Sequence, residues 1–416
     1  MECASQASAG ALSHIRVLDL SRILAGPWAS QMLGDLGAEV IKVERPGAGD
    51  DTRSWGPPYL KDDAGNDTDV AAYFLCANRN KRSVAIDIAN SEGQALVREL
   101  AQKSDVLLEN YKVGGLRKYG LDYESLKAVN PQLIYCSITG FGQTGPYANR
   151  AGYDFLIQGL GGLMSLSGRP DDEAGTGPMK VGVALTDVMT GLYAANAIQA
   201  ALIHREKSGE GQYIDISLLD VQVASLANQA LSYCVTGVPP RRLGNAHPSI
   251  VPYQDFPTDD GYMILAIGND GQFARFCAEA GRPELAQDPR FATNRERVRH
   301  RVVLIDLLRQ ITVTRTTAEW IGALESVAVP CGPINDLAGV FADPQVQARG
   351  LRKIMGHESL GEIPQVANPI NLSASPISYR DPPPLLGEHT GETLQRVLGL
   401  SADDVDRLKD ADVVGP

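Results

Sequence analysis

The chain is poor in the features that mark most membrane, metal and nucleotide-binding classes. No apolar run approaches the roughly 20 residues that a membrane-spanning helix requires. Its six cysteines (Cys3, Cys76, Cys136, Cys234, Cys277, Cys331) include no CxxC pair. A disulfide framework and a zinc site are therefore not expected, and the thiols read as reduced, mostly buried small hydrophobes. The six histidines form no HExxH and no local cluster, so no metal is expected. Basic side chains are in deficit, 38 against 50 acidic for a net charge of −12, which disfavours nucleic acid or an anionic membrane as partner. The phosphate-binding G-x-G-x-x-G turn is missing too: Gly26 stands alone in "SRILAGPW", and "GLGGLM" (159–164) does not follow the first strand. NAD is thereby disfavoured even though Glu44 ends the second strand. There is no G-x-S-x-G elbow and no Walker loop. The opening "MECASQASAGALSH" lacks a basic start and an apolar core, so it reads as a frayed tail and not a secretory signal. A cytoplasmic location is expected, or the mitochondrial matrix if the host is eukaryotic.

What is present is an ordinary globular composition, 44% hydrophobic and 21% charged, over 416 residues, more than one typical core holds. Two domains are expected. "IRVLDLSRILAGPWASQMLGDLGAEVIKVERP" (15–46) reads as β-α-β, with Pro27 at a helix start. "RSVAIDI" (82–88), "DVLLENY" (105–111) and "QLIYCSITGFG" (132–142) continue the strands, and "EGQALVRELAQKS" (92–104) fits an intervening helix. Strands alternating with helices predict an α/β fold with a mostly parallel, doubly wound sheet and ligands at the strands' carboxyl ends. Helices are predicted at 187–208 and 219–232, and a Pro- and Gly-rich crossing at 235–256. A smaller α+β domain follows, a return loop "VPCGPIND" (329–336), and a Pro-rich stretch leading to a terminal helix (381–401). The expected domains are 1–225 with 335–416, and 240–328, joined by linkers 226–239 and 329–334.

Two stretches carry candidate chemistry. In "KVGVALTDVMTGLYAANAIQAALIHREKSGEG" (180–211) the one acid near the helix start is Asp187. It fits a helix cap, and it equally fits an ionised carboxylate able to attack an acyl donor. Spacing does not choose. "NRNKRS" (78–83) gathers Arg79, Lys81 and Arg82 before a strand, either a solvated turn or a clamp for phosphate, with Arg45 and Lys118 nearby in fold order.

"IRVLDLSRILAGP" (15–27), "GAEVIKVERPGAGDDTR" (37–53), "NRNKRSVAIDI" (78–88), "LLENYKVGGLRKYGLDYESLKAVNPQLIYCSITGFGQTGP" (107–146), "RAGYD" (150–154), "HREKSGEGQYIDISLLD" (204–220) and "PLLGEHT" (384–390) together resemble the family III CoA-transferases. The resemblance runs through nearly the whole chain in order. It implies a Rossmann-like large domain built from both ends of the chain, a small domain, and two chains threaded into an interlocked homodimer. It implies that Asp187 is the nucleophile, that coenzyme A is substrate and product, and that no metal or redox cofactor takes part. Its CoA contacts fall on Ile23, Leu24, Ala25, Arg45, Ile86, Asn110, Tyr111, Lys118, Tyr153 and Leu218. A basic residue that the family uses on CoA phosphates is Ala89 here, so that role passes to Arg79, Lys81 or Arg82. "GDDTRSWGPP" (49–58) and "GNAHPSIVPYQDF" (244–256) point within the family to transfer from succinyl-CoA to glutarate or a similar dicarboxylate.

The departures narrow the choice further. Leu24 stands where formyl-CoA transferases carry Gln, and "AHPSIV" (246–251) where they carry a glycine run, which argues against a formyl-CoA and oxalate pair. Tyr153 stands where α-methylacyl-CoA racemases carry His, and a phenol with pKa near 10 is a poor base for α-proton transfer. A CoA-binding scaffold without activity would lack a use for Asp187, and a thioester hydrolase would release free CoA with no acceptor acid. For the distal carboxylate of a dicarboxylate the candidates are His247, Ser249, Arg22 and Arg53, with His247 favoured because it occupies the place of that glycine run.

Overall fold

The computed structural model describes residues 10–62 and 64–415, so Cys3 and residues 1–9 of the opening tail lie outside the described residues. The chain divides into two compact units. The first comprises the described residues of Met1–Leu163, Lys180–Gly237 and Gln347–Pro416, the second Met164–Met179 and Val238–Val346.

The first unit is built on six parallel strands: β1 (Arg16–Asp19), β2 (Glu39–Glu44), β3 (Lys81–Ala85), β4 (Val106–Glu109), β5 (Ile134–Thr139) and β6 (Tyr213–Ser217). Their order across the sheet is β3-β2-β1-β4-β5-β6. The central strands are buried along nearly their whole length, because helices cover both faces of a parallel sheet and leave no wet side. Alternate residues of β1 show the two faces. Val17 packs in one buried cluster with Leu33 of α1 (Ala25–Asp35) and Ala194 of a long helix. Leu18 packs in another with Leu96 and Leu100 of α2 (Ser91–Gln102) and Leu408 of the C-terminal helix Ala402–Asp410. Helices α3 (Asp154–Leu160), α4 (Leu185–Ser208), α5 (Leu218–Ser225) and α6 (Ala227–Thr236) complete the part that concerns the site.

In the second unit a three-stranded antiparallel sheet, Cys331–Pro333, Tyr262–Ala266 and Tyr253–Pro257 in that order, packs on helices that include Asp270–Glu279 and Arg301–Thr312.

Three local readings of the sequence change. The helix expected at 219–232 is two, α5 and α6, because Ala227 sits at φ 44. "VPCGPIND", expected as a loop, contains the strand Cys331–Pro333, whose pairing with Met263–Leu265 comes from some 70 residues away and leaves no local pattern. Residues 11–14 of the expected frayed tail form a turn, tied down by the Leu12 N–H donating to the Leu36 carbonyl at 2.9 Å.

Candidate active site

The strand order reverses where β1 lies beside β4, and a sheet of this kind opens a crevice at such a point, beyond the strands' carboxyl ends. The turn leaving β1 is held there by side chains. Ile23 adopts φ 73, a left-handed conformation that a β-branched residue rarely takes and that surrounding contacts must enforce. The Asp50 carboxylate accepts the Ile23 N–H at 3.2 Å. Buried Lys42 donates to the Ser21 carbonyl at 2.8 Å and to Asp50 at 2.9 Å. Asn110, just past β4, accepts the Arg22 N–H at 2.9 Å and donates to the Arg22 carbonyl at 2.7 Å. Those two bonds stitch the ends of β1 and β4 together.

This turn forms one wall of a cavity of about 440 Å³. Of the sequence candidates, Arg22, Ile23, Leu24, Ala25, Asn110, Tyr111, Lys118, Tyr153, Asp187 and Leu218 all line it. Arg45 and Ile86 line a neighbouring cavity of about 440 Å³ that shares Arg22, Tyr111 and Tyr119 with the first. Residues from five separate stretches of sequence are thereby gathered around one carboxylate.

Asp187 is the third residue of α4. Ala184 at the helix N-cap has no side-chain oxygen, yet the capping role does not fall to Asp187. Asp154, at the start of α3, accepts the N–H groups of Thr186 at 2.8 Å and Asp187 at 3.3 Å. The Asp187 carboxylate itself meets no hydrogen-bond donor among the described residues, although the residue is only 9% exposed. Burial, and then the charge of Asp154, push its carboxyl up to about 7. The positive end of the helix works against that rise and is outweighed. Burial and the same Asp187 charge push the phenol of Tyr73 up to about 12. Chemically, a poorly solvated carboxylate with no donor bound to it is available as a nucleophile or a base.

The remaining candidates lie elsewhere. Arg79 is buried in a two-pronged pair with Asp35, 2.9 and 2.6 Å, and donates to the Val366 carbonyl at 3.0 Å. Lys81 is fully buried and donates to Asp19, the Pro27 carbonyl and Asn78; burial lowers its ammonium to about 8. Both hold the interior together, so neither presents a free donor to a phosphate. Arg82 pairs with Glu392 at 2.8 Å. Arg53 is committed to Glu44 at 2.7 Å and lies 3.7 Å over the Phe74 ring. Arg22, on the cavity wall unlike these, pairs with Asp51 at 2.8 Å. His247 and Ser249 belong to the second unit, where the His247 Nδ1 accepts the Ser249 N–H at 3.1 Å and the ring lies 5.3 Å from Tyr253.

Three residues escape a reading of the sequence. Asp154 is the last residue of "RAGYD", and nothing local marks it as serving a helix 31 residues on. Arg150 lines the cavity, contacts the rings of Phe141 and Tyr147, and has no acidic partner among the described residues. Tyr73 carries no pattern at all. Among the described residues no group of His, Cys, Asp and Glu could hold a metal ion, and no helix is long and apolar enough to cross a membrane.

Residues 12–390 match CoA-transferase family III. The chain belongs to that family. This family III CoA-transferase is 55% identical over 383 residues to a succinate–glutarate CoA-transferase of Agrobacterium fabrum, covering 92% of this chain and 94% of that one. It is 45% identical over 403 residues to the human succinyl-CoA:glutarate CoA-transferase, covering 97% and 90%. A CAIB/BAIF family protein from Brucella suis of known crystal structure shares the fold at a TM-score of 0.82 and 50% identity, over 94% of this chain and all of that one. The enzyme is thus a CoA-transferase with a parallel central sheet.

Proposed function

We propose that this enzyme moves CoA from succinyl-CoA to glutarate, or to a dicarboxylate of similar length, with Asp187 as the covalent nucleophile. The observation that carries the mechanism is the buried Asp187 carboxylate, without a donor of its own, in one cavity with the turn Arg22–Ala25 and with Lys118. The names of the relatives support the acid pair.

In the first step an Asp187 oxygen attacks the thioester carbonyl. The C–S bond breaks, CoA leaves as thiolate, and a mixed anhydride joins Asp187 to the succinyl group. The thiolate then attacks the aspartyl carbonyl, releasing succinate and leaving an aspartyl–CoA thioester. Glutarate attacks that thioester, and the freed thiolate takes the glutaryl group from the second anhydride, restoring Asp187. Each addition builds an oxyanion. We assign that oxyanion to the N–H groups at the start of α1, an assignment supported by the lack of a side-chain cap at Leu24 and by Leu24 and Ala25 lining the cavity; a well-placed donor is worth roughly 3 kcal/mol. Of the cavity's cations, Arg22 is paired with Asp51, and we assign Lys112, Lys118 and Arg150 to phosphate or to a distal carboxylate.

We take the first unit as Rossmann-like and the working assembly as an interlocked homodimer. The apolar side chains of Leu231, Tyr233 and Val235, exposed on α6, support an assembled state. Incubation with succinyl-CoA and separate acids, read by mass, tests the function. The expected result is glutaryl-CoA formed only when glutarate is present and lost in Asp187→Ala. Transfer that survives in Asp187→Ala refutes the mechanism, and free CoA or an epimerised thioester would replace transfer by hydrolysis or racemisation.

A further inference from the structure

A helix of 24 residues needs partners for its first N–H groups, and α4 draws none from its own N-cap residue. The acceptor is Asp154, 33 residues before Asp187. One of its oxygens, Oδ1, takes the Thr186 and Asp187 N–H groups, and the other, Oδ2, accepts from Gln158 Nε2 at 2.7 Å. Gln158 is fully buried and is itself fixed, since its Oε1 accepts the Val181 N–H at 2.9 Å. From the other side the Thr186 hydroxyl donates to Gln222 of α5 at 2.7 Å. The first turn of α4 is thus held from α3, from the segment leading into it and from α5. None of these bonds uses the Asp187 carboxylate. An acid at this third helical position can reach back to the N-cap N–H and be consumed as a cap, as Glu319 and Asp404 do in the helices Thr317–Ser326 and Ala402–Asp410.

We propose that Asp154 is the positioning residue of this transferase: it caps α4 in place of Asp187, leaves the Asp187 carboxylate unengaged, and sets a like charge beside it that opposes its folding back. The inference rests on the reading of Asp187 as nucleophile. The charge also makes Asp187 more basic, in the direction already described, and a more basic carboxylate is a stronger nucleophile once ionised. The other groups that bear on Asp187 are the Tyr73 phenol and, around the cavity, the cations Arg22, Lys112, Lys118 and Arg150 with the phenols Tyr111, Tyr119 and Tyr153. Asp154 is the one whose negative charge presses against it at neutral pH.

Asp154→Asn removes the charge while its amide oxygen can still accept the two N–H groups; its Nδ2 then faces the Gln158 Nε2 donor, so the bond to Gln158 is lost in the Asn and Ala variants alike, and the N–H cap alone distinguishes those two. The experiment is the pH profile of kcat/KM for the whole enzyme with succinyl-CoA and glutarate, which reports ionisations of the free enzyme. The wild-type rate is expected to rise through about pH 7 as Asp187 ionises. In Asp154→Asn this limb moves to lower pH by roughly one unit, with KM for succinyl-CoA within about two-fold. Asp154→Ala, which loses the cap as well, drops kcat by roughly 10- to 100-fold at every pH. Asp154→Ser, a neutral acceptor of smaller size, reads the same limb if the Asn variant does not fold. An acid limb that stays at the wild-type pH in the neutral variants overturns the charge role, and a kcat in Asp154→Ala equal to that of Asp154→Asn overturns the capping role. Failure of the underlying reading looks different: Asp187→Ala would then retain transfer.

Discussion

Replacing Asp50 with alanine tests how the cleft wall is held. The Asp50 side chain is fully buried against an equally buried Lys42, 2.9 Å away, in a compact set of six charges. Asp19, Glu44 and Asp50 balance Lys42, Lys81 and Arg53. Asp50 also accepts the N–H groups of Ile23 and Thr52 and the Thr52 hydroxyl. Removing it leaves one positive charge in excess in the interior and frees the Ile23 N–H. Loss of one partner from a buried pair costs about 3–5 kcal/mol, a large part of the roughly 5–15 kcal/mol available to a typical domain. Ile23 would then relax from φ 73, a conformation costing about 1–2 kcal/mol, and the cavity wall would loosen. Adding Lys42→Met restores the charge balance, so the double variant is expected to be more stable than Asp50→Ala alone by at least about 1 kcal/mol. Urea unfolding of the wild type, both single variants and the double variant measures the coupling, and KM for succinyl-CoA, expected to rise in both Asp50 variants, measures the wall. A cost below about 1 kcal/mol for Asp50→Ala, or strictly additive single effects, would refute the reasoning.

The pH behaviour of the same network has a sign. The Lys42 charge and backbone donors outweigh burial and hold the Asp50 carboxyl at about 2, below its ordinary 3.8, so its contribution is present above 3.8 and lost as pH falls through about 2. Glu109, at the end of β4, runs the other way. Burial pushes it from 4.5 up to about 7, while its Oε2 accepts the Tyr111 N–H at 2.7 Å. Its neutral form stabilises the fold below pH 4.5, and that contribution is lost as pH rises through about 7, at a cost of about 3 kcal/mol. Glu109→Gln keeps the acceptor without the charge, so its thermal midpoint should exceed the wild type's at pH 8 and converge with it at pH 5; equal differences at both pH values would count against the assignment. Lys118→Ala should raise KM for succinyl-CoA about ten-fold with little change in thermal stability, a charge-assisted contact being worth roughly 1.5–3 kcal/mol. Arg79→Ala should do the reverse, losing several kcal/mol of stability through the orphaned Asp35 while the folded fraction keeps its KM. A KM effect in Arg79→Ala as large as that in Lys118→Ala would reopen the phosphate role of the 78–83 cluster.

The strands and helices around the crevice are legible in the sequence because short β-branched apolar runs, buried on both faces, alternate with longer helical stretches bounded by turn residues. "IRVLDL" and "EVIKVE" read as buried strands, and the apolar run after Asp187 as a long helix. The pattern is lost where an element rests on distant pairing, as at Cys331–Pro333, or where one residue bends the chain, as at Ala227.

For the site, sequence alone determined which chemical groups exist and in what order: a lone acid at a helix start, a turn after the first strand, a run of basic residues before the third. Tertiary structure decided which of them are free. Arg79 and Lys81 look like ligands for phosphate, and Arg53 like one for a substrate carboxylate, until Asp35, Asp19 and Glu44 arrive from other elements and neutralise them. Asp187 looks like a helix cap until Asp154, from another helix, takes the cap's bonds. A charge is read from one residue, but whether it is spent or available depends on partners that only folding brings within about 3 Å.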